Sequence, residues 1–261
     1  MRHLSLLLML LFAVPVTAQR TPVLPAGRVV DLSHPFDATS VYWPTAEAFK
    51  LDTDFEGVTD KGYFYSAYRY SAAEHGGTHL DAPVHFAKGR HTVDEIPLDQ
   101  LMGSGIVIDV TTQCATNPDY QISVADFQNW ERRNGRIAPG TIVLLRTGFG
   151  KRYPDRKSYL GTDERGADAV AKLHFPGLDP AAARWLTQSR SIKAIGLDTA
   201  SIDYGQSTLF ESHRILFEKN IPAFENVANL DQLPLKGFSV IALPMKIKGG
   251  SGGPLRIVAF R

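Results

Sequence analysis

The chain has 261 residues, with 28 Lys or Arg against 27 Asp or Glu and a formal charge of +1. A near-neutral chain without a basic block is not built to neutralise phosphates, which argues against nucleic acid as a partner. Cys114 is the single cysteine, which excludes an internal disulfide and leaves His, Asp and Glu as the ligand repertoire.

Arg2 and His3 precede the apolar run LSLLLMLLFAV, and VTA ends at Ala18. This is the pattern of a cleaved secretory signal, and the run is too short to span a bilayer as a helix. The expectation is a signal peptide over 1–18, one mature domain over 19–261, charge near zero after cleavage, and export to the periplasm or beyond. No second run approaches the length of a membrane span.

The aromatic stretch YFYSAYRY leads into EHGGTHLDAPVHF, residues 74–86. Beyond it, GIVIDV (105–110), TIVLLRT (141–147), IKAIGLD (192–198), GFSVIAL (237–243) and PLRIVAF (254–260) read as largely buried strands. Ser123 and Asp126 open a helix that stops at Gly135, Asp179 and Pro180 open a second, and 211–220 reads as a short third. Gly148 to Pro176, rich in charge, Gly and Tyr, reads as a long surface excursion. Strands alternating with helices predict an α/β single domain with a mixed, buried sheet flanked by helices.

Within 74–86, His75, His79, Asp81 and His85 cannot share a helix face, and Pro83 opposes a helix there. Read as extended chain they have one parity and point to one side, with Gly76 and Gly77 permitting close backbone approach. Imidazole and carboxylate donors suit Zn, Mn or Fe, and three ligands leave positions open for water or substrate, the catalytic arrangement. Hydrogen-bonding surface histidines are the bland alternative, and four donors of common parity weigh against it. The one G-x-S-x-G match, GGSGG at 249–253, leads into a strand and not into the helix of a nucleophile elbow, and Cys114 has no histidine close in sequence. GGSGGP (249–254) lacks the G-K-[ST] and the helix of a phosphate loop, so it reads as a turn or a close chain contact.

HGGTHLDAPVHF resembles the signature of the cyclase family of metal-dependent hydrolases, which includes bacterial kynurenine formamidase and isatin hydrolase. VVDLSHPFDATSVYWP, HFPGLDPAAARWL, GLDTASIDYGQS, the pair His213 and Glu225, and GGSGGPLRIVAF resemble the family in the same order, so the likeness covers the mature chain. It implies a swivelling β/β/α fold. It also implies His75, His79 and Asp81 as ligands of one metal, with His213 and Glu225 completing a second position that Asp81 bridges. His85 would be the acid/base group, and Trp43, Phe36 and Tyr42 would give an aromatic substrate wall, with Ser207 a weaker candidate. The implied cofactor is one or two divalent ions, Zn or Mn. The implied activity is hydrolysis of an amide C–N bond in a small aromatic formamide, with isatin-type ring opening close behind. A metal-dependent cyclase or dehydratase, or a non-catalytic metal-binding protein, are the readings from other classes. A homodimer or higher homo-oligomer is implied as well. Two departures, the export signal and the 148–176 excursion, set this chain apart from compact cytosolic formamidases and leave the substrate open. His34, His91, His174 and Tyr204 read as structural.

Overall fold

A computed structural model describes residues 27–261, so the signal-peptide expectation lies outside the described residues. In the first third of the chain come β1 (Val29–Asp31), β2 (Lys50–Val58), β3 (Phe64–Ser71) and β4 (His79–Asp81). The middle holds β5 (Met102–Asp109), α1 (Thr111–Thr116), β6 (Gln121–Ile122), α2 (Val124–Asn134), β7 (Ile142–Arg146) and α3 (Arg156–Leu160). Then follow β8 (Gly177–Leu178), α4 (Pro180–Ser189), β9 (Ala194–Leu197), α5 (Glu211–Phe217), β10 (Ala223–Glu225), β11 (Phe238–Pro244) and β12 (Gly252–Phe260).

The main sheet is mixed, in the order β1-β12-β11-β5-β7-β9-β10-β4, and it closes because β12 also pairs with β4. The pairings β5–β7, β7–β9 and β9–β10 are parallel, and the remaining ladders are antiparallel. One edge of β12 pairs with β11; the other pairs with β4 at Gly252–Pro254 and with β1 at Val258–Phe260. Closure onto β12 leaves the three-residue β1 as the terminal strand of the sheet, a short edge.

Period-two alternation divides the apolar side chains between two cores. Leu80, Val107, Ile142, Leu144, Phe224, Val240 and Ile257 fill the barrel interior. Their strand neighbours Ile106, Ile108, Val143, Leu145, Ile195 and Ala223 point outward and meet Phe127, Trp130, Ala183 and Leu186 of α2 and α4. Burial of each such side chain contributes roughly 1.5–3 kcal/mol. The helices start where the sequence predicts. Ser123 and Asp126 form a reciprocal capping box on α2, which ends at Gly135, and the Asp179 carboxylate caps α4 ahead of Pro180. Arg190 at the end of α4 pairs with Glu131 of α2.

The structure departs from two expectations. The 148–176 segment is not a surface excursion: Phe149, Tyr159, Leu160, Leu173 and Phe175 are fully buried in the outer core. Its Gly and charged residues mark the turns between short helical pieces, and the intervening apolar groups dive inward. YFYSAYRY does not run as a strand into the histidines. It forms most of β3, which pairs only with β2 in a separate two-stranded hairpin exposed along its length.

Candidate active site

The chain bends sharply before β4. Gly77 takes φ +55, and Gly76 bridges to Tyr42 so closely that a Cβ there would lie 2.0 Å from the Tyr42 ring. Only glycine accommodates both conditions. The bend folds His75 back over β4, and Pro83 starts a 3-10 turn, Pro83–His85, that returns His85 to stack on His75 with ring centroids 3.8 Å apart. The four donors therefore converge, but not along one continuous strand. Shared parity accounts for His79 and Asp81 alone; the glycine bend and the proline turn bring in His75 and His85.

The distant pair joins through sheet register. β4 and β10 are antiparallel with Glu225 opposite His79 and Ala223 opposite Asp81. Leu80 and Phe224 thus enter the barrel, while His79, Asp81 and Glu225 face out beneath α5, which supplies buried His213. Asp81 lies at the centre. Its Oδ1 is 2.7 Å from His75 Nδ1 and 3.0 Å from His79 Nε2, and its Oδ2 is 3.3 Å from His213 Nε2. Glu225 Oε1 is 3.1 Å from His213 Nε2, and Oε2 is 3.5 Å from His79 Nε2.

Proton bookkeeping shows what this cluster accommodates. His79 Nδ1 faces the Gly77 carbonyl at 3.0 Å, an acceptor, so Nδ1 carries the hydrogen. His213 Nδ1 faces the Asp203 carboxylate at 2.6 Å and is likewise the donor. In the neutral rings both Nε2 atoms then present lone pairs to carboxylate oxygens. His79 Nε2 is buried without any hydrogen-bond partner. Lone pairs facing anions require a cation between them, and a second acceptor on each imidazole is the usual orienting device for metal-ligating histidine. Five donors, all imidazole or carboxylate, fit a divalent transition ion.

The field of the two carboxylates carries the same message. Burial alone would depress His79, but Asp81 and Glu225 outweigh it and raise its pKa to about 9. Burial would likewise depress His213, which hydrogen bonds to Asp203, Asp81 and Glu225 hold well above the imidazole range. Burial would raise Asp81, yet His75, His79 and His213 hold it well below the usual carboxylate range. His85 behaves oppositely: burial, despite the nearby Asp81, pushes it down to about 4, so it is neutral at neutral pH.

A family model described as "Putative cyclase" matches residues 30–204, the span that contains the His75–His85 cluster. The chain belongs to the cyclase family. Among its cyclase-family relatives, isatin hydrolase of Roseibium aggregatum is 31% identical over 86% of this chain and 90% of that protein. Kynurenine formamidase of Salinibacter ruber is 26% identical over 88% of this chain and 96% of that protein. Among solved structures, an isatin hydrolase bound to the product analogue thioisatinate superposes with a TM-score of 0.81 at 29% identity, covering 89% of this chain and 92% of that one. Isatin hydrolase A from Ralstonia solanacearum gives 0.80 at 33% identity over 89% and 91%.

In this cyclase-family chain the donors floor a cavity of about 290 Å³. Trp43, Phe86 and Phe210 give it flat walls, and Ala46, Ala73 and Ala200 leave it room. Phe210 holds a left-handed backbone (φ 47) at the entrance to α5, an uncommon conformation for an aromatic residue, and edges against Trp43. Of the three aromatic residues expected in the wall, Trp43 alone lines the cavity. Tyr42 and Phe36 pack instead where Cβ atoms of Gly76 and Gly77 would stand, supporting the bend from behind. Ser207 is also outside: its hydroxyl meets the Phe210 amide and Asp203. His34 stacks on Tyr153, and His174 pairs with Asp119 near the surface, both structural roles. Asp203 escapes the sequence reading, although the Asp inside GLDTASIDYGQS is the signal that could have found it. It accepts from the Ser212 and His213 amides as well as the His213 ring.

Proposed function

We propose that this chain hydrolyses the amide C–N bond of a small neutral aromatic substrate, a cyclic amide of the isatin type. The observation that carries this reading is the convergence of imidazole lone pairs on Asp81 and Glu225 at the floor of an aromatic-walled cavity. Among the described residues, no Lys or Arg lines that cavity. A neutral ring system therefore suits it better than an amino-acid zwitterion such as N-formylkynurenine, whose carboxylate would meet no cationic side chain there. The likeness to isatin hydrolase supports the same choice. Kynurenine formamidase likeness supports an open-chain aromatic formamide as the second reading.

His75, His79 and Asp81 would hold one divalent ion, and Asp81, His213 and Glu225 a second; zinc or manganese suits these nitrogen and oxygen donors. Such an ion supplies Lewis acidity, polarising a carbonyl and lowering the pKa of water. The chain's own residues do the rest. Trp43, Phe86 and Phe210 clamp the aromatic ring and exclude bulk water. His85, neutral in its buried position, takes a proton from the attacking water and returns it to the departing nitrogen, without which an amine leaves poorly. Asp203 keeps the His213 ring turned so that Nε2 faces the cluster.

Two further parts of the reading concern context. The 1–18 segment supports export, tested by the N-terminal sequence of protein recovered from cell fractions. The β2–β3 hairpin supports a homodimer: it exposes Leu51, Val58, Phe64, Tyr68 and Tyr70, the kind of clustered apolar surface that a partner covers. Light scattering reports the mass. For the activity, metal analysis is paired with isatin and N-formylkynurenine assays before and after chelation. Undiminished turnover in metal-free protein would refute the hydrolase mechanism, and a product lacking the added water would replace it with a cyclase or dehydratase.

A further inference from the structure

The glycine-rich loop GGSGGP at 249–254 packs directly behind His75. A Cβ on Gly252 would lie 2.6 Å from His75 Cε1, and one on Gly250 would lie 2.7 Å from Glu74 Oε1. The glycines admit two neighbours, and Ser251 between them touches both. Its amide and hydroxyl donate to Glu74 Oε2 at 3.0 and 2.6 Å, and its Oγ lies 2.9 Å from His75 Nε2. The loop is fixed to the rest of the fold by Ala82, whose amide donates to the Ser251 carbonyl, and by Val93, whose amide donates to the Gly250 carbonyl.

We propose that Ser251 and Glu74 are positioning residues that select the metal-binding tautomer of His75. A serine hydroxyl has one hydrogen, and the short contact to an ionised carboxylate commits it to Glu74. Oγ must then accept from His75 Nε2–H. That leaves the Nδ1 lone pair beside Asp81 Oδ1, where both atoms could ligate one cation. Without the relay, the opposite tautomer gains the advantage: Nδ1–H donates straight to Asp81 at 2.7 Å and closes the first metal position on itself. Glu74 and Ser251 oppose that self-quenched state across a sequence gap of 177 residues. The inference rests on the metal-hydrolase reading and adds residues to it.

Zinc titration of metal-free protein against a competing chelator tests it, with imidazole nitrogen NMR on the same samples. Ser251→Ala should weaken one bound equivalent by about 10–100-fold, the usual effect of removing an outer partner of a metal-ligating imidazole. The other equivalent should be spared, and the His75 hydrogen in metal-free protein should move from Nε2 to Nδ1. Glu74→Leu, on a partly exposed side chain, should do the same and stands in if Ser251→Ala misfolds. Glu74→Gln keeps an acceptor for Ser251 and should fall between wild type and Glu74→Leu. Wild-type zinc affinity in both Ser251→Ala and Glu74→Leu would overturn the proposal while leaving the hydrolase reading intact. Failure of the wild-type protein to bind zinc or manganese would overturn both.

Discussion

Asp203→Asn is the most discriminating perturbation of the proposed second metal position. Asp203 is 2% exposed, and its two oxygens have separate duties. Oδ2 accepts from His213 Nδ1 at 2.6 Å and from the His213 amide at 3.2 Å, while Oδ1 accepts from the Ser212 amide at 3.1 Å. Asparagine is nearly isosteric but has one oxygen, so one set of buried donors must face an amide NH2. If the NH2 takes the Oδ2 place, the stable imidazole is the one with Nδ1 as acceptor and Nε2–H pointing at Asp81 and Glu225, which blocks a cation. If it takes the Oδ1 place, the Ser212 amide is left buried and unsatisfied. Either outcome loses a charge-assisted bond worth roughly 1.5–3 kcal/mol and adds an unsatisfied donor costing about 1–3 kcal/mol. Zinc or manganese affinity for one equivalent should fall about 10–100-fold. The assay is chelator competition on the purified variant, with thermal unfolding alongside. Wild-type affinity for both equivalents in a folded Asp203→Asn protein would refute the assignment of Asp203 as the group that orients His213.

Other expectations follow from the same geometry. His85→Ala should lower turnover by roughly 10²–10⁴-fold while elemental analysis finds unchanged metal content, because it removes the proton carrier and no assigned ligand; lost metal would make His85 a ligand instead. In metal-free protein the raised His79 pKa stabilises the fold fully below the unfolded value near 6.5, and that stability is lost as pH climbs through about 9. The melting temperature of chelated protein should therefore decline across that window, and a flat profile would contradict protonated His79. Gly76→Ala should destabilise by at least the 1–3 kcal/mol typical of overpacking, since its Cβ would meet the fully buried Tyr42 ring at 2.0 Å; denaturant unfolding measures it. Burial pushes the Cys114 thiol up to about 12, so iodoacetamide at pH 8 should spare the native protein and label it once unfolded.

The legible parts of the site were those where chemistry is written locally. His75, His79, Asp81 and His85 lie within one short run, and their residue types alone point to a metal. Their spacing suggested the right convergence through the wrong geometry, since a glycine with positive φ and a 3-10 turn are invisible to a period-two argument. His213 and Glu225 come together with that run only through the β4–β10 register and the seat of α5, and the family resemblance supplied what periodicity could not. The buried strands from 105 onward and the capped helices α2 and α4 were readable because burial and capping leave strong local patterns. The β2–β3 hairpin was not, because a ribbon exposed on both faces has no hydrophobic alternation to betray it. Asp203, Ser251 and Glu74 act through another residue's ring, and such roles are encoded in contacts rather than in spacing.

Barrel closure imposes an order on assembly. Residues 252–254 of β12 zip against β4, and Ser251 just before them contacts His75, so the proposed first metal position is finished by a piece of chain made after every other strand. During synthesis His75, His79 and Asp81 wait without that contact, since Ser251 lies 177 positions beyond Glu74. With the Ser251 role proposed above, a chain interrupted ahead of β12 would hold a cation at the His75 position less tightly than the complete chain.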